Sequence, residues 1–139
     1  MSALTCYQGL EERFHTVSGL RSVVLGEPTG DLDLPGLYTA YIGFNRSQLG
    51  QITAMDHRFM HRLIIRWQDN AQAEMQLLTL LNAIPASVEA DAQLGGRVPL
   101  GLARITDGDA GFATIGGVKY RVVDYTALVT EKAPVRSGI

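Results

Sequence analysis

Apolar residues at Ala3, Tyr7, Leu10, Phe14 and Val17 recur at spacings of four, three, four and three. That is one stripe of an amphipathic helix. Glu11, Glu12 and Arg13 fall on its other side, and Ser18-Gly19 supplies a stop signal. Gly9 weakens this helix by up to about 1 kcal/mol relative to alanine. The stretch "GEPTGDLDLPG" (26–36) is rich in glycine and proline and reads as a loop. "LYTAYIGF", Leu37 to Phe44, has the β-branched and aromatic content of a strand. The polar segment Asn45 to Asp56 shows no period, and we expect a long loop there, a candidate contact surface.

From His57 to Trp67 the pattern alternates. Phe59, His61, Leu63, Ile65 and Trp67 share one face of a strand, and Met60, Arg62, Ile64 and Arg66 share the other. "DNAQAEMQLLTLLNAI" is the strongest helix signal. Asp69 is its expected N-cap, with Gln72 placed for a capping box. Ala71, Met75, Leu78 and Leu81 form the expected inward stripe, widened by Leu77, Leu80 and Ile84. Pro85 interrupts, and a short second turn to about Asp91 follows. The last third reads as two or three strands, broken by hairpin signals at "TDGDAG" and Gly116-Gly117. Pro99 and Gly101 disturb a regular strand, so the segment after them is expected at an edge or with a bulge. Tyr120 to Thr130 is the longest strand candidate, and residues 133–139 read as a frayed tail.

Runs joined by hairpin turns, with helices between them, predict an α+β fold: a small antiparallel or mixed sheet packed against two main helices. The 139 residues fit one domain, 1–139, able to bury a sizeable core. The formal net charge of −2 points away from a partner bound through the overall field, such as nucleic acid. No apolar run approaches the roughly 18 residues of a membrane span, and the N-terminus lacks a signal peptide's basic start and apolar core. We therefore expect no membrane partner, and assembly in a cytoplasm.

The candidate chemistry is thin. His57 and His61 lie four apart, but Arg58 stands where a zinc-binding helix needs a glutamate. On a strand the two histidines would be about 13 Å apart. The bland expectation puts His61 at the edge of the core and His57 in the loop. Cys6 and His15 would be about 13 Å apart along one helix, too far for a nucleophile–base pair. "DGDAG" lacks most of a calcium loop's ligands. Asp31 and Asp33 are expected as solvated loop charges. We expect no catalytic residue, no cofactor and no metal. Arg62 and Arg66, with Arg58 nearby, make a basic stripe that Arg97 and Arg104 extend, better suited to a protein surface than to a nucleic-acid groove, which would want aromatics on the same face.

The order of elements and several turn motifs resemble the tail terminator proteins of long-tailed bacteriophages, also called tail completion or head–tail joining proteins. The resemblance runs over roughly residues 3 to 132. It is carried by the N-terminal amphipathic helix and proline-rich loop, the run "HRFMHRLIIRWQ", the exit "ADAQLGGRV", and the closing strand "GGVKYRVVDYTALVTEK". The pattern D-x-x-L-G-G-x-V, Asp91 to Val98, is its most specific part. The resemblance implies a structural virion protein rather than an enzyme. It would form a ring with itself, a hexamer, that caps the tail tube protein, ends tube growth and meets a head completion or connector protein. DNA would pass through the lumen only as cargo. A closed ring needs two different complementary patches per subunit. The interface residues expected on this reading are Asn45, Arg46, Gln48, Gln51, Arg58, Arg62, Arg66 and Arg97. Three other readings stand beside it: another connector component, such as a head completion protein or tube-like subunit; a small α+β binding or enzyme domain unrelated to phage; and a nucleic-acid-binding α+β module, which the near-neutral charge disfavours.

Overall fold

Ser2 opens α1 (Ala3–Phe14), its hydroxyl accepting from the Thr5 amide at 3.2 Å. That satisfies one of the free N–H groups of a helix start. Most of the expected stripe is buried: Tyr7, Leu10 and Phe14 face the core, with Cys6 beside them and Val17 just beyond the helix, while Ala3 is half-buried. The described residues are 2–28, 32–67 and 70–134 of this computed structural model. They continue through β1 (Ser22–Leu25), β2 (Gly36–Leu49), β3 (Ile52–Arg66), α2 (Asn70–Leu81), α3 (Ala83–Glu89), β4 (Leu102–Ile115) and β5 (Val118–Pro134).

The five strands form one mixed sheet in the order β1-β2-β3-β5-β4, and the fold is α+β. Only β1 and β2 run parallel; the other neighbours are antiparallel. The period-2 pattern of β3 survives intact. His57, Phe59, His61, Leu63 and Ile65 are buried on the face that meets the helices. On β5, Val123, Tyr125, Ala127, Val129 and Glu131 do the same. The main core lies between this face and α1, α2 and α3. A smaller cluster, Tyr38, Ile64 and Val122, sits on the opposite face.

Several expectations give way. Asn45 to Asp56 is no loop: β2 and β3 run through it and turn at Gly50-Gln51, with Gly50 at φ +62°. Cross-strand pairing supplies the regularity that the polar sequence does not advertise. "DGDAG" is not a turn either. It lies inside β4, just after a register shift between Ile105 and Asp107, and the chain continues to the Gly116-Gly117 turn. β1 went unrecognised because four residues carry too little pattern.

The inward stripe of α2 is rotated from the expected one. Ala73, Leu77 and Leu80 are buried and Ile84 continues the line into α3, while Ala71 is exposed and Met75 and Leu78 are 68% and 62% exposed. Leucines at 77, 78, 80 and 81 leave the helix apolar on two sides, and the sheet selects one. The Asp69 cap falls outside the described residues. Residues 133 and 134 belong to β5 rather than to a frayed tail, and 135–139 are outside the described residues.

The Asp91–Val98 turn is built as its composition suggests. Leu94, Gly95 and Gly96 all have positive φ, and the Asp91 carboxylate accepts from the Gly95 amide at 2.9 Å. Leu94 and Val98 are thereby buried against the helices. Gly9 of α1 meets this turn so closely that a Cβ there would lie 2.6 Å from Leu94 Cβ. Gly101 lets β4 begin against β5: a Cβ there would be 1.7 Å from the Thr130 carbonyl oxygen. The segment after Pro99 is thus an edge strand with a bulge, as its proline and glycine predict.

Candidate functional site

The basic stripe forms where alternation puts it. Arg58, Arg62 and Arg66 share the face of β3 away from the helices. Arg104 joins them, since Arg58, Leu128 and Arg104 stand in one row across three strands. Arg97 does not. It lies on the helical side and holds Glu12 of α1 through two hydrogen bonds of 2.8 and 2.9 Å. Arg62 is also engaged within the chain: its Nε and Nη2 donate to the two oxygens of Asp124, at 2.6 and 2.9 Å. These are opposite residues on paired strands, and the fork geometry suits a planar guanidinium. This contact holds the Arg62 side chain firmly protonated, its hydrogen bonds to Asp124 outweighing partial burial. Neither Arg62 nor Arg97 is therefore a simple free interface charge. Arg66 is exposed, at the rim of an open cleft of about 420 Å³ shared with Arg21, Pro35 and Gln72. Asp33 lines a neighbouring cleft of about 350 Å³; Asp31 falls outside the described residues.

The polar segment is a hairpin arm. Asn45, Arg46, Gln48 and Gln51 are all exposed on it. Arg46 and Gln48 fall on the helix-facing side, opposite Met55 and Thr53, while Asn45 falls on the other. In the amide orientation that satisfies both groups, Asn45 accepts from Arg58 Nη1 at 3.2 Å. The sequence reading overlooked large apolar side chains flanking this arm. Tyr41, Ile42 and Phe44 on β2 are 44%, 52% and 54% exposed. A second group, Leu100, Leu102 and Phe112, stands exposed just before and along β4. Their strand pattern was visible; that no described helix covers them was not.

These groups lie along two strand edges. β1 covers only Gly36 to Thr39 of β2, so β2 beyond Thr39 has no outer strand among the described residues. β4 pairs with β5 alone and leaves its other edge unpaired among the described residues. An uncovered edge offers a row of backbone donors and acceptors to another chain.

No family model matches the sequence, and no curated protein matches it. A chain from a solved structure described as the virion of a native gene transfer agent (GTA) particle aligns with 94% of this chain and 96% of its own length, at a TM-score of 0.38 and 16% identity.

Inside the helix-facing side, at the root of the arm, the chain gathers titratable groups that lie far apart in sequence. His57 is 3% exposed and sits in β3, not in a loop. Its Nε2 lies 3.1 Å from Glu131 Oε1, and its Nδ1 lies 2.7 Å from the Tyr41 hydroxyl. Cys6 Sγ, fully buried on α1, is 3.9 Å from the other Glu131 oxygen. Burial first, and Glu131 second, push the Cys6 thiol up to about 12, so at neutral pH it is protonated and not a nucleophile.

His61 is not at the core's edge but wholly within it. It packs edge-on to Phe14 and parallel to Phe59, with centroids 4.7 and 6.2 Å away. Thr39 Oγ1 lies 2.7 Å from its Nδ1, and its Nε2 has no hydrogen-bond partner among the described residues. Burial lowers its pKa to about 3, so the ring is neutral. Period-2 alternation carried past Val129 would have placed Glu131 inward. No local signal brings Cys6 to it.

Proposed function

We propose that this chain is a structural protein of a phage-like particle, working by docking copies of itself and neighbouring proteins rather than by catalysis, and that it is the tail terminator. The observation that carries the docking reading is the pair of uncovered strand edges, each flanked by exposed large apolar residues. The two edges differ. One is β2 beyond Thr39, with Tyr41, Ile42 and Phe44; the other is β4, with Leu102 and Phe112. A head-to-tail contact that closes into a ring needs two unlike, complementary patches on every subunit. The exposed arm residues Asn45, Arg46, Gln48 and Gln51 then reach a neighbouring subunit, and Arg58 and Arg66 supply charge beside it. The tube protein and the head connector are the proposed partners on the two faces of a six-membered ring, with DNA passing through as cargo.

The test is negative-stain microscopy and native mass spectrometry of the purified chain, together with mass spectrometric analysis of purified particles from the same source. Closed rings, or one ring's worth of copies per particle, are expected. Unlimited tubes would favour the tube-like subunit instead. A chain that stays monomeric at high concentration and is absent from particles would sink the reading.

A further inference from the structure

We infer that Cys6, His57 and Glu131 form a zinc site that fastens α1 to the sheet at the root of the β2–β3 arm. The three side chains come from three elements: α1, β3 and β5. One ligand atom from each lies within 4.8 Å of the other two, and all three residues are buried. Zinc bonds of roughly 2.0–2.3 Å to sulfur, nitrogen and oxygen give tetrahedral ligand–ligand edges of roughly 3.3–3.8 Å. His57 Nε2 lies 3.1 Å from Glu131 Oε1 and Cys6 Sγ lies 3.9 Å from the other carboxylate oxygen, Oε2, so each partner of Glu131 is within about half an ångström of that range.

The surroundings fit the same occupant. A metal-bound histidine normally engages its second ring nitrogen in a hydrogen bond, which fixes the tautomer and the ring plane. Here the Tyr41 hydroxyl is 2.7 Å from His57 Nδ1, so Nδ1–H can donate to it and leave the Nε2 lone pair directed at the site. Tyr41 is itself held edge-on against Phe59, with centroids 5.2 Å apart. Charge also balances. A thiolate and a carboxylate neutralise a divalent cation, and neutral imidazole adds nothing. Binding breaks the Cys6 S–H bond, forms the metal–sulfur bond, and sends one proton to solvent. A donor set of one thiolate, one imidazole and one carboxylate selects a borderline-soft ion such as zinc over magnesium or calcium. Three protein ligands leave a fourth position, which a water fills.

Spacing alone could not assemble this set: Cys6 and Glu131 are 125 positions apart. Period-2 alternation puts His57 and Glu131 on the same face of neighbouring strands, one pair apart diagonally, because Glu131 pairs with Met55 and His57 with Val129. The remaining ligand depends on where α1 lies across the sheet.

The experiment uses the full chain, stripped with a chelator and titrated with zinc chloride. One zinc per chain is expected, with one proton released per ion and a Tm raised by about 10 °C at zinc about a hundredfold above Kd. Magnesium chloride should do nothing. Cobalt(II) in place of zinc should give a sulfur-to-metal charge-transfer absorption that Cys6→Ala abolishes, and Glu131→Gln should weaken binding at least tenfold. A folded, metal-free wild-type chain that takes up no zinc at one equivalent would overturn the site and leave a hydrogen-bonded network. So would a cobalt band that persists in Cys6→Ala. If the variants do not fold, the stoichiometry, proton release and Tm of the wild-type chain decide the matter.

Discussion

His61 shows how burial turns one side chain into a pH-dependent element. Its folded pKa is depressed from 6.5 to about 3 by desolvation, so the folded chain resists protonating it. The stability this gives is complete above pH 6.5 and drains away as pH falls toward about 3. His61→Phe keeps a ring between Phe14 and Phe59 but cannot protonate. Its unfolding free energy, followed by urea titration across that window, should fall less steeply with acid than the wild type's. Equal slopes would refute the assignment. Arg62 is the second informative residue. Its fork to Asp124 is half-buried, so Arg62→Ala should cost about 1 kcal/mol, while Arg66→Ala, exposed, should stay within about 0.5 kcal/mol. Charge reversal at Arg62 consequently tests the sheet as much as any interface.

Among the elements, α1 and α2 separate propensity from packing. Gly9→Ala improves helix propensity by up to about 1 kcal/mol. Yet its Cβ would meet Leu94 Cβ at 2.6 Å and Arg97 Cδ at 3.1 Å, pushing α1 off the Asp91–Val98 turn. We expect a net loss of about 1–3 kcal/mol by thermal or urea unfolding. On α2, Leu77→Ala should cost about 2–5 kcal/mol, because Leu77 is 3% exposed. Leu78→Gln should change stability by less than about 0.5 kcal/mol. The reverse ranking would mean that the helix packs through the stripe expected from its sequence. Tyr125 and Arg13 close the helix ends against the rest of the fold: the Tyr125 hydroxyl donates to the Leu81 carbonyl at 2.9 Å, and Arg13 Nε donates to the Ser87 carbonyl at 2.7 Å. Arg121, paired with Glu74, ties α2 to β5. Each contact satisfies a terminal group or fixes a docking angle that helix periodicity leaves open.

For the whole molecule, the two uncovered edges set the expected behaviour. Phe44→Asp and Leu102→Asp, on opposite edges, replace exposed residues and should leave unfolding free energies nearly unchanged. Each alone should reduce assembly at least tenfold, measured by native mass spectrometry of the chain at matched concentration. Mixing the two variants should restore limited pairing, because each retains one intact edge, but not closed rings. Assembly unaffected by both would separate the docking surface from the strand edges. No described helix is long and apolar enough to cross a membrane.

The sequence by itself determined whatever depends on local period and local backbone chemistry. The α1 stripe, the alternation of β3, the irregular start of β4 after Pro99, the glycine turn at 116–117 and the Asp91–Val98 turn are all of that kind. Tertiary structure decided the rest. It turned an aperiodic polar stretch into an arm, because pairing with β3 organises β2 where composition gives no signal. It selected Leu77 over Leu78 for the core, since a helix apolar on two sides has no preferred face until a sheet presents one. It paired Arg62 with Asp124 and brought Cys6 and Glu131 to His57, because those contacts depend on strand order and on where α1 crosses the sheet, which sequence spacing does not encode.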